Sequence, residues 1–357
     1  MLNMGFGHRL RVLLLSIPRC CSLPDELIGH LEGGSPMKAF KVHSPGRDKD
    51  ARFYEWPGPR PVAEVDGLRL RAPAFYHQVD SFQSLHLASY EAVREVLPSS
   101  ELQPVRWFDG RATVHIEALR HNVVSGSDAD GTTGVLAPYG EVLIGALVTR
   151  GPARRGLPLL TPGLHHVGVF VLHLPVTTLE ARDLGLKILG LPKFVADMEF
   201  REEPLLRQVR LSEQNTEILT LAIRPGGRVT TDRSPGILYS SLHGELLETT
   251  ARFLGHRQVR LGRTAGALQL GEHPVADQLR VLGVSAEPLM AASYLDARLI
   301  LPFGNPIGAA RDYTGYHGGD RTRGRFTVEY PGTGPIDQYS VPPGVLPPAT
   351  PAPTAAG

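Results

Sequence analysis

Several short stretches of this 357-residue chain alternate apolar and polar residues, and this pattern constrains the fold more than any other feature. Successive side chains of a β-strand point to opposite faces, so a period of two indicates a strand with one buried and one polar face. The stretches are RATVHIEAL, EVLIGALV, HVGVFVLHL, RQVRLSEQNTEILTLAI and GALQLG. The sequence therefore predicts a mainly β fold, either a barrel or a sandwich.

Two other stretches have the residue spacing of a helix. YEAVREVL ends before Pro98, which cannot continue a helix. TTLEARDLGLKIL begins with Thr177 and Thr178, either of which can cap a helix, and its Leu179 and Leu186 lie on an apolar stripe. We therefore expect a few helices beside the strands.

Composition and charge exclude several classes of partner and cofactor. The formal net charge is +1 at pH 7 and no run of lysine and arginine stands out, so nucleic acid is not an expected partner. The only cysteines, Cys20 and Cys21, are adjacent, which suits neither a disulfide framework nor a zinc site and favours a reducing compartment. His165 and His166, if on a strand, point to opposite faces. We expect a soluble, cytoplasmic protein that binds no metal and no membrane.

Proline, glycine and charged residues mark both ends of the chain. Residues 1–63 are expected to form a largely irregular extension, and their short apolar start lacks the length and cleavage site of a secretory signal. A second candidate start, Met37, follows GGSP, so a chain that begins there is expected to fold. Residues 311–357 end in VPPGVLPPATPAPTAAG and are expected to form a tail. The folded domain is thus predicted over residues 64–310.

One lysine stands within an apolar stretch, GLKILGLPKF. Pro192 fixes its own backbone and pushes Leu191 towards an extended conformation, so the turn before Lys193 is rigid and can direct the amine inward. The alternative is that Lys193 lays its methylene groups on Leu191 and Phe194 and keeps its ammonium group in water. The other lysine of this stretch, Lys187, lies on the predicted helix and is expected to be solvated.

Three further side chains are candidates for a site. Glu141, where a loop enters a predicted strand, is either an acid, base or hydrogen-bond partner at a pocket mouth or an ordinary strand-edge glutamate. Tyr139 would share its face and form either a pocket wall or part of the core. His115 shares a face with Glu117 and either lines the pocket or is a hydrogen-bonded interior histidine.

Four blocks, in order, resemble the acetoacetate decarboxylase family, and together they span most of residues 75–303. They are SYEAVREVLPSSELQPVRW, YGEVLIGALV, GLKILGLPKF and GALQLGEHPVADQLRVLGVSAEPLMAASYLDARLILP. The resemblance implies a closed antiparallel β-barrel around a pocket, with peripheral helices (an α+β fold) and assembly into a homo-oligomer. It also implies a lyase without a cofactor that forms a Schiff base with a keto acid, as a decarboxylase or an aldolase-dehydratase.

The same resemblance assigns roles to particular residues. Lys193 falls on the lysine that forms the Schiff base, and Glu141 falls on the pocket glutamate. The family's second lysine is replaced by Phe194, and its carboxylate-binding arginine aligns near Val79. Without that second charge, an apolar pocket with Leu191 and Phe194 as walls would have to keep the amine unprotonated by desolvation.

The missing arginine leaves the recognition of a carboxylate open. Arg120 is a candidate replacement because a guanidinium group binds a carboxylate through two parallel hydrogen bonds, but it has no priority over Arg106 or Arg111. The alternative function is a non-catalytic module that keeps the barrel for binding a small molecule or for assembly. The absent second lysine and the absent arginine motivate this alternative.

Overall fold

The computed structural model of the chain describes residues 52–65, 68–127, 133–151, 156, 166–313, 315–318, 329–330 and 334–335. All of them belong to the unit Asp50–Gly357. The two cysteines, Met37, His165 and most of the expected tail lie outside the described residues. None of the helices in the described ranges is both long enough and apolar enough to cross a membrane.

The described residues form strands, three α-helices and two short 3-10 helices. The strands are β1 (Val62–Val65), β2 (Leu68–Ala88), β3 (Leu102–Pro104), β4 (Ala112–Ser127), β5 (Thr133–Leu136), β6 (Tyr139–Arg150), β7 (Gly168–Val176), β8 (Lys193–Val195), β9 (Asp197–Glu203), β10 (Leu206–Glu213), β11 (Thr216–Ile223), β12 (Thr230–Asp232), β13 (Gly236–Leu242), β14 (Glu245–Leu261), β15 (Gly266–Leu270), β16 (Pro288–Leu301), β17 (Asn305–Ala309), β18 (Glu329–Tyr330) and β19 (Gly334–Pro335). The helices are α1 (Tyr90–Val96), α2 (Leu179–Ile188) and α3 (Pro274–Val281), and the 3-10 helices are Arg52–Tyr54 and Arg263–Ala265.

Most strands belong to one large sheet with the order β1-β2-β16-β14-β13-β7-β6-β4-β5. Because β4 also pairs with β2, the strand order returns to β2. Short strands extend this sheet: β12 and β17 pair with β14, β3 pairs with β6, and β8 pairs with β7. A second sheet has the order β15-β11-β10-β9. The mainly β fold with helices is confirmed, and the closed barrel stays a prediction.

The expectation that the sheet is antiparallel throughout is wrong at two pairings. β7 runs parallel to β13, with Val169 opposite Leu238, and parallel to β8, with Leu174 opposite Lys193. The chain leaves β7 through α2 before it forms β8, and it passes through three strands of the second sheet before it forms β13. Long crossovers of this kind can return the chain in its original direction, which a tight hairpin cannot do.

The period-two stretches lie in strands β4, β6, β7, β10, β11 and β15, as the alternation predicts. RQVRLSEQNTEILTLAI forms two strands, because Gln214 and Asn215 adopt positive φ angles of 50° and 65° and turn the chain between β10 and β11. Both predicted helices are present. The Thr178 hydroxyl caps α2 by accepting a hydrogen bond from the backbone N–H of Ala181 at 3.3 Å.

Residues on both sides of the predicted domain, 64–310, contact residues inside it. The Tyr54 hydroxyl donates to the carbonyl oxygen of Tyr76 at 3.4 Å. The Tyr316 ring stands edge-on to Phe194, with ring centroids 5.0 Å apart. The packed part of the chain therefore extends beyond both expected boundaries.

Alternation along β6 separates the main core from a second interior space. Val142, Ile144 and Ala146 lie in the largest buried apolar cluster, which also contains Met198 and Phe200 of β9 in the second sheet. The alternate residues of β6 point to the other face of the large sheet. That second face carries the candidate site.

The turn between α2 and β8 depends on Gly190, whose φ is +62°. A Cβ at this position would lie 2.5 Å from the carbonyl oxygen of Ser241 and 2.9 Å from Cβ of Leu242. The backbone N–H groups of Leu189 and Leu191 both donate to the carbonyl oxygen of Gly185, at 3.1 and 3.0 Å, and close the helix end. The chain thereby turns sharply enough to start β8 at Lys193.

Gly190→Ala should lower the free energy of unfolding by more than Gly244→Ala, as measured in urea. Both glycines have positive φ, so alanine at either position costs about 1–2 kcal/mol of backbone strain. Only Gly190 adds the close contact with Ser241, because no atom lies within 4 Å of a Cβ at Gly244. Equal losses in the two variants would contradict this account of the turn.

Candidate functional site

The second face of the large sheet lines a cavity of about 190 Å³. Its walls come from β2, β4, β6, β7, β13, β14 and β16, and α2 closes one side. Most of the lining side chains are apolar. The polar ones are Tyr76, Ser81, Glu117, His121, Tyr139, Glu141 and Lys193.

A buried ion pair lies in this cavity. The Lys193 Nζ donates to Glu141 Oε2 at 2.8 Å, and the two residues are 6% and 9% exposed. Glu141 lies on β6 and Lys193 on β8, with β7 between them. Neighbouring strands are about 4.8 Å apart, so the two long side chains meet across the face of β7.

The Lys193 side chain passes directly over α2 at Gly185. A Cβ at Gly185 would lie 2.5 Å from both Cδ and Cε of Lys193. The helix therefore leaves room for the lysine because this position has no side chain. Lys193 also lines a more open depression of about 470 Å³, together with Arg182, Lys187 and His243. The two spaces meet at the lysine side chain.

The carboxyl group of Glu141 is ionised despite its burial. Burial alone would raise its pKa, but the Lys193 ammonium group and the nearby His121 ring outweigh that effect and lower the pKa to about 2. Two buried charges of opposite sign thus compensate for much of each other's desolvation. Removing either one would leave the other without its partner.

His121 lies beside the ion pair between two tyrosine rings. Its ring centroid is 4.8 Å from that of Tyr76 and 4.5 Å from that of Tyr139, and its Nε2 lies 3.7 Å from Glu141 Oε1. It is 2% exposed, and neither of its ring nitrogens makes a hydrogen bond with the residues that the structure describes.

The two tyrosine hydroxyls are 3.4 Å apart. Burial raises the pKa of both tyrosines, and the negative charge of Glu141 adds to the effect, so the hydroxyls remain protonated. Tyr76, Tyr139 and His121 therefore place polar atoms next to the ion pair inside an otherwise apolar space.

Four of the residues predicted from sequence line the cavity together: Tyr139, Glu141, Leu191 and Lys193. Phe194 does not. It follows Lys193 on β8 and points to the opposite face, into the main core and against Tyr316. The expectation that Phe194 forms a pocket wall and desolvates the lysine is therefore wrong. The apolar side chains around Lys193 come from other strands and from α2.

Arg120 and His115 also lie outside the cavity lining. Arg120 alternates with two lining residues of β4 and points the other way, where its guanidinium group contacts Glu202 at 2.5 Å and Asp80 at 3.4 Å. Its guanidinium group already pairs with those two carboxylates, so Arg120 is not placed to bind a carboxylate in the cavity. His115 Nε2 lies 3.3 Å from Glu117 Oε2. Of the two alternatives for His115, this contact fits a hydrogen-bonded histidine and not a pocket-lining one.

The other two candidate arginines are elsewhere as well. Arg106 stacks over the Tyr90 ring at 3.8 Å, and Arg111 pairs with Asp109 at 2.7 Å. Lys193 is thus the only lysine or arginine among the described residues that line the cavity. Within those residues, no group of three His, Cys, Asp or Glu side chains is arranged to hold a metal ion.

Sequence reasoning missed Tyr76 and His121. A signal for His121 was present, because extending the alternation of RATVHIEAL by two residues places His121 on the same face as Glu117 and Leu119. Tyr76 lies on β2, a strand that the alternation did not reveal.

Comparison with known proteins identifies relatives of this fold. A family model described as acetoacetate decarboxylase matches residues 68–308. The acetoacetate decarboxylase of Legionella pneumophila is 16% identical, with 72% of this chain and 94% of that chain covered and a TM-score of 0.51. Another structure, from structural studies of acetoacetate decarboxylase, is 17% identical, with 67% and 91% covered and a TM-score of 0.50. Comparison with curated proteins gave no match.

The free energy of unfolding should fall more steeply with acid in the wild-type protein than in Glu141→Gln. The folded state lowers the pKa of Glu141 from 4.5 to about 2, so its contribution is present above about pH 4.5 and is lost as the pH falls towards 2. Urea unfolding at pH 6 and pH 3 should differ by about 2 kcal/mol more in wild type.

Glu199→Gln is the matched control, because that carboxylate is exposed. It should keep the wild-type difference between pH 6 and pH 3. If Glu141→Gln also keeps that difference, Glu141 does not form the buried pair in solution.

Proposed function

We propose, since this chain belongs to the acetoacetate decarboxylase family, that it is a lyase which forms a Schiff base between Lys193 and a keto acid. The observation that carries the proposal is the Lys193 amine, buried in a cavity and 2.8 Å from the Glu141 carboxylate. A buried amine next to a proton acceptor has the two requirements of a lysine nucleophile: restricted hydration and a route for its proton.

The first step is imine formation. Glu141 accepts a proton from Lys193, and the neutral amine attacks the keto carbon of the substrate. The protonated Glu141 returns its proton to the hydroxyl of the resulting carbinolamine, and the hydroxyl leaves as water. An iminium ion attached to Nζ remains, and Glu141 is ionised again. The iminium carries a positive charge at the position of the original ammonium group, so the ionised Glu141 stabilises it in the same place.

The iminium ion then draws electrons from a neighbouring bond. In decarboxylation the bond to the carboxyl group breaks, carbon dioxide leaves, and the remaining enamine takes up a proton on carbon. Addition of water releases the ketone and restores Lys193. In the aldolase-dehydratase branch the iminium ion instead loses a proton from the adjacent carbon to the ionised Glu141. The enamine formed in this way attacks an aldehyde, and the adduct loses water. Both branches share the same imine on Lys193 and the same cavity.

Tyr76, Tyr139 and His121 are proposed to position the substrate. The tyrosine hydroxyls are protonated donors. The ring nitrogens of His121 make no hydrogen bond with the described residues and offer further hydrogen-bonding capacity. All three border the Lys193–Glu141 pair, where the keto oxygen must leave as water. They supply polar contacts that the apolar walls lack.

The alternative is a non-catalytic binding module. The direct contact between the Lys193 amine and the Glu141 carboxylate favours this alternative, because an ammonium group paired with a carboxylate is not itself a nucleophile. The two functions differ in whether a substrate can displace that pair, which a trapping experiment measures directly.

Borohydride treatment with pyruvate or acetoacetate should leave a reduced adduct on Lys193, detected by mass spectrometry of peptides. Lys193→Arg should abolish the adduct, because a guanidinium group stays protonated. Lys187→Arg is the matched control and should retain it. No adduct on Lys193 with either keto acid would overturn the Schiff-base proposal and favour the binding module.

Glu141→Gln separates the roles of the two residues when the turnover of acetoacetate is measured beside the trapping experiment. The amide keeps the shape of the side chain but cannot accept the proton, so turnover should fall by roughly 10² to 10⁴. Unchanged turnover would remove Glu141 from the proposed mechanism while leaving the adduct on Lys193 in place.

A further inference from the structure

We infer that the substrate carries an apolar tail of several carbon atoms next to its keto group. The inference deepens the proposed function and rests on it for the position of the keto carbon at Lys193. It comes from the walls of the cavity, from the way these walls join the polar residues, and from the charges that the cavity holds.

The part of the cavity formed by the later strands of the large sheet is apolar. Its lining side chains come from β13, β14, β16 and the residues just after β16. They are Leu238, Ala251, Phe253, Leu299, Leu301 and Phe303. A keto acid of three or four carbon atoms, with its keto carbon at Lys193, has few carbon atoms to place against these walls. An apolar tail would contact these walls and leave water, which favours binding in proportion to the area buried.

The apolar walls are continuous with the polar residues. Leu299 on β16 lies opposite Phe253 of β14 on one side and opposite Tyr76 of β2 on the other. The Tyr76 hydroxyl is 3.4 Å from that of Tyr139, whose ring lies 5.8 Å from the Lys193 Nζ. A ligand bound at the amine can therefore extend along Tyr76 onto the Leu299 wall without crossing a strand.

The charges exclude a second anionic group at the far end of this ligand. Lys193 is the only lysine or arginine among the described lining residues, and Glu141 already pairs with it. A carboxylate placed against Leu238, Leu299 and their neighbours would lose its hydration and gain no counter-charge, which is costly. The end of the substrate that reaches this wall is therefore uncharged.

The test is binding of 3-hydroxy acids, which resemble the keto acids but carry a hydroxyl group in place of the keto group and cannot form an imine. Calorimetry compares 3-hydroxybutyrate with 3-hydroxyoctanoate on the full-length protein. Each methylene group that leaves water strengthens binding roughly fourfold, so the longer acid should have a Kd at least about tenfold lower. Because no imine is involved, this result is independent of the trapping experiment.

Variants locate the tail. Leu299→Asn should weaken binding of 3-hydroxyoctanoate several-fold and leave 3-hydroxybutyrate almost unchanged. Leu295→Asn, at an exposed position of the same strand, is the matched control and should change neither. If Leu299→Asn does not fold, Phe303→Ala replaces it, with the exposed Phe108→Ala as its control.

Two results would overturn the inference. One is an equal Kd for the short and long acids, or no binding of the long acid. The other is an equal loss of both acids in Leu299→Asn, which would mean that the wall acts on the whole site and not on a tail. Tighter binding of the long acid without any trapped adduct on Lys193 would support a ligand with an apolar tail but contradict the Schiff-base proposal.

Discussion

The site depends on one buried ion pair, between Lys193 and Glu141. Each charge alone would be costly in an apolar cavity, so the fold must bring both groups to hydrogen-bonding distance. Gly190 lets the chain turn sharply into β8, and Gly185 leaves space for the lysine stem over α2. The pairings of β7 then place Lys193 opposite Leu174 and Glu141 opposite Val176, two residues further along the same strand, so the two long side chains can meet.

The same pair links the fold to the proposed chemistry. In a space with little water, the attraction between fixed charges is stronger than at the surface. The negative charge that lowers the cost of a buried ammonium group also favours an iminium ion at the same nitrogen, so no large rearrangement is needed between the resting site and the intermediate. In the proposed function the apolar walls serve both purposes, since they exclude water and would contact the carbon chain of a ligand.

Sequence patterns predicted the local secondary structure better than they predicted which side chains contact one another. Alternation predicted the strand that carries Glu141, and the family resemblance singled out Lys193, because both depend on residues close together in the chain. Phe194 was misplaced because the residue next to a lysine on a strand faces away from it, whatever its chemistry. Alternation indicates which face of β4 carries His121, but the pairing of β4 with β2 and β6, which brings the ring to Tyr76 and Tyr139, has no local signal in the sequence.

A double-mutant cycle tests the central claim most directly. The free energies of unfolding of Lys193→Met, Glu141→Gln and the double variant, measured in urea at pH 7, give the coupling between the two side chains. A buried pair predicts a coupling of about 1–3 kcal/mol. Each single substitution leaves one buried charge without its partner, and the double substitution removes both charges. Losses that add within about 0.5 kcal/mol would show that the two groups do not interact in the folded protein.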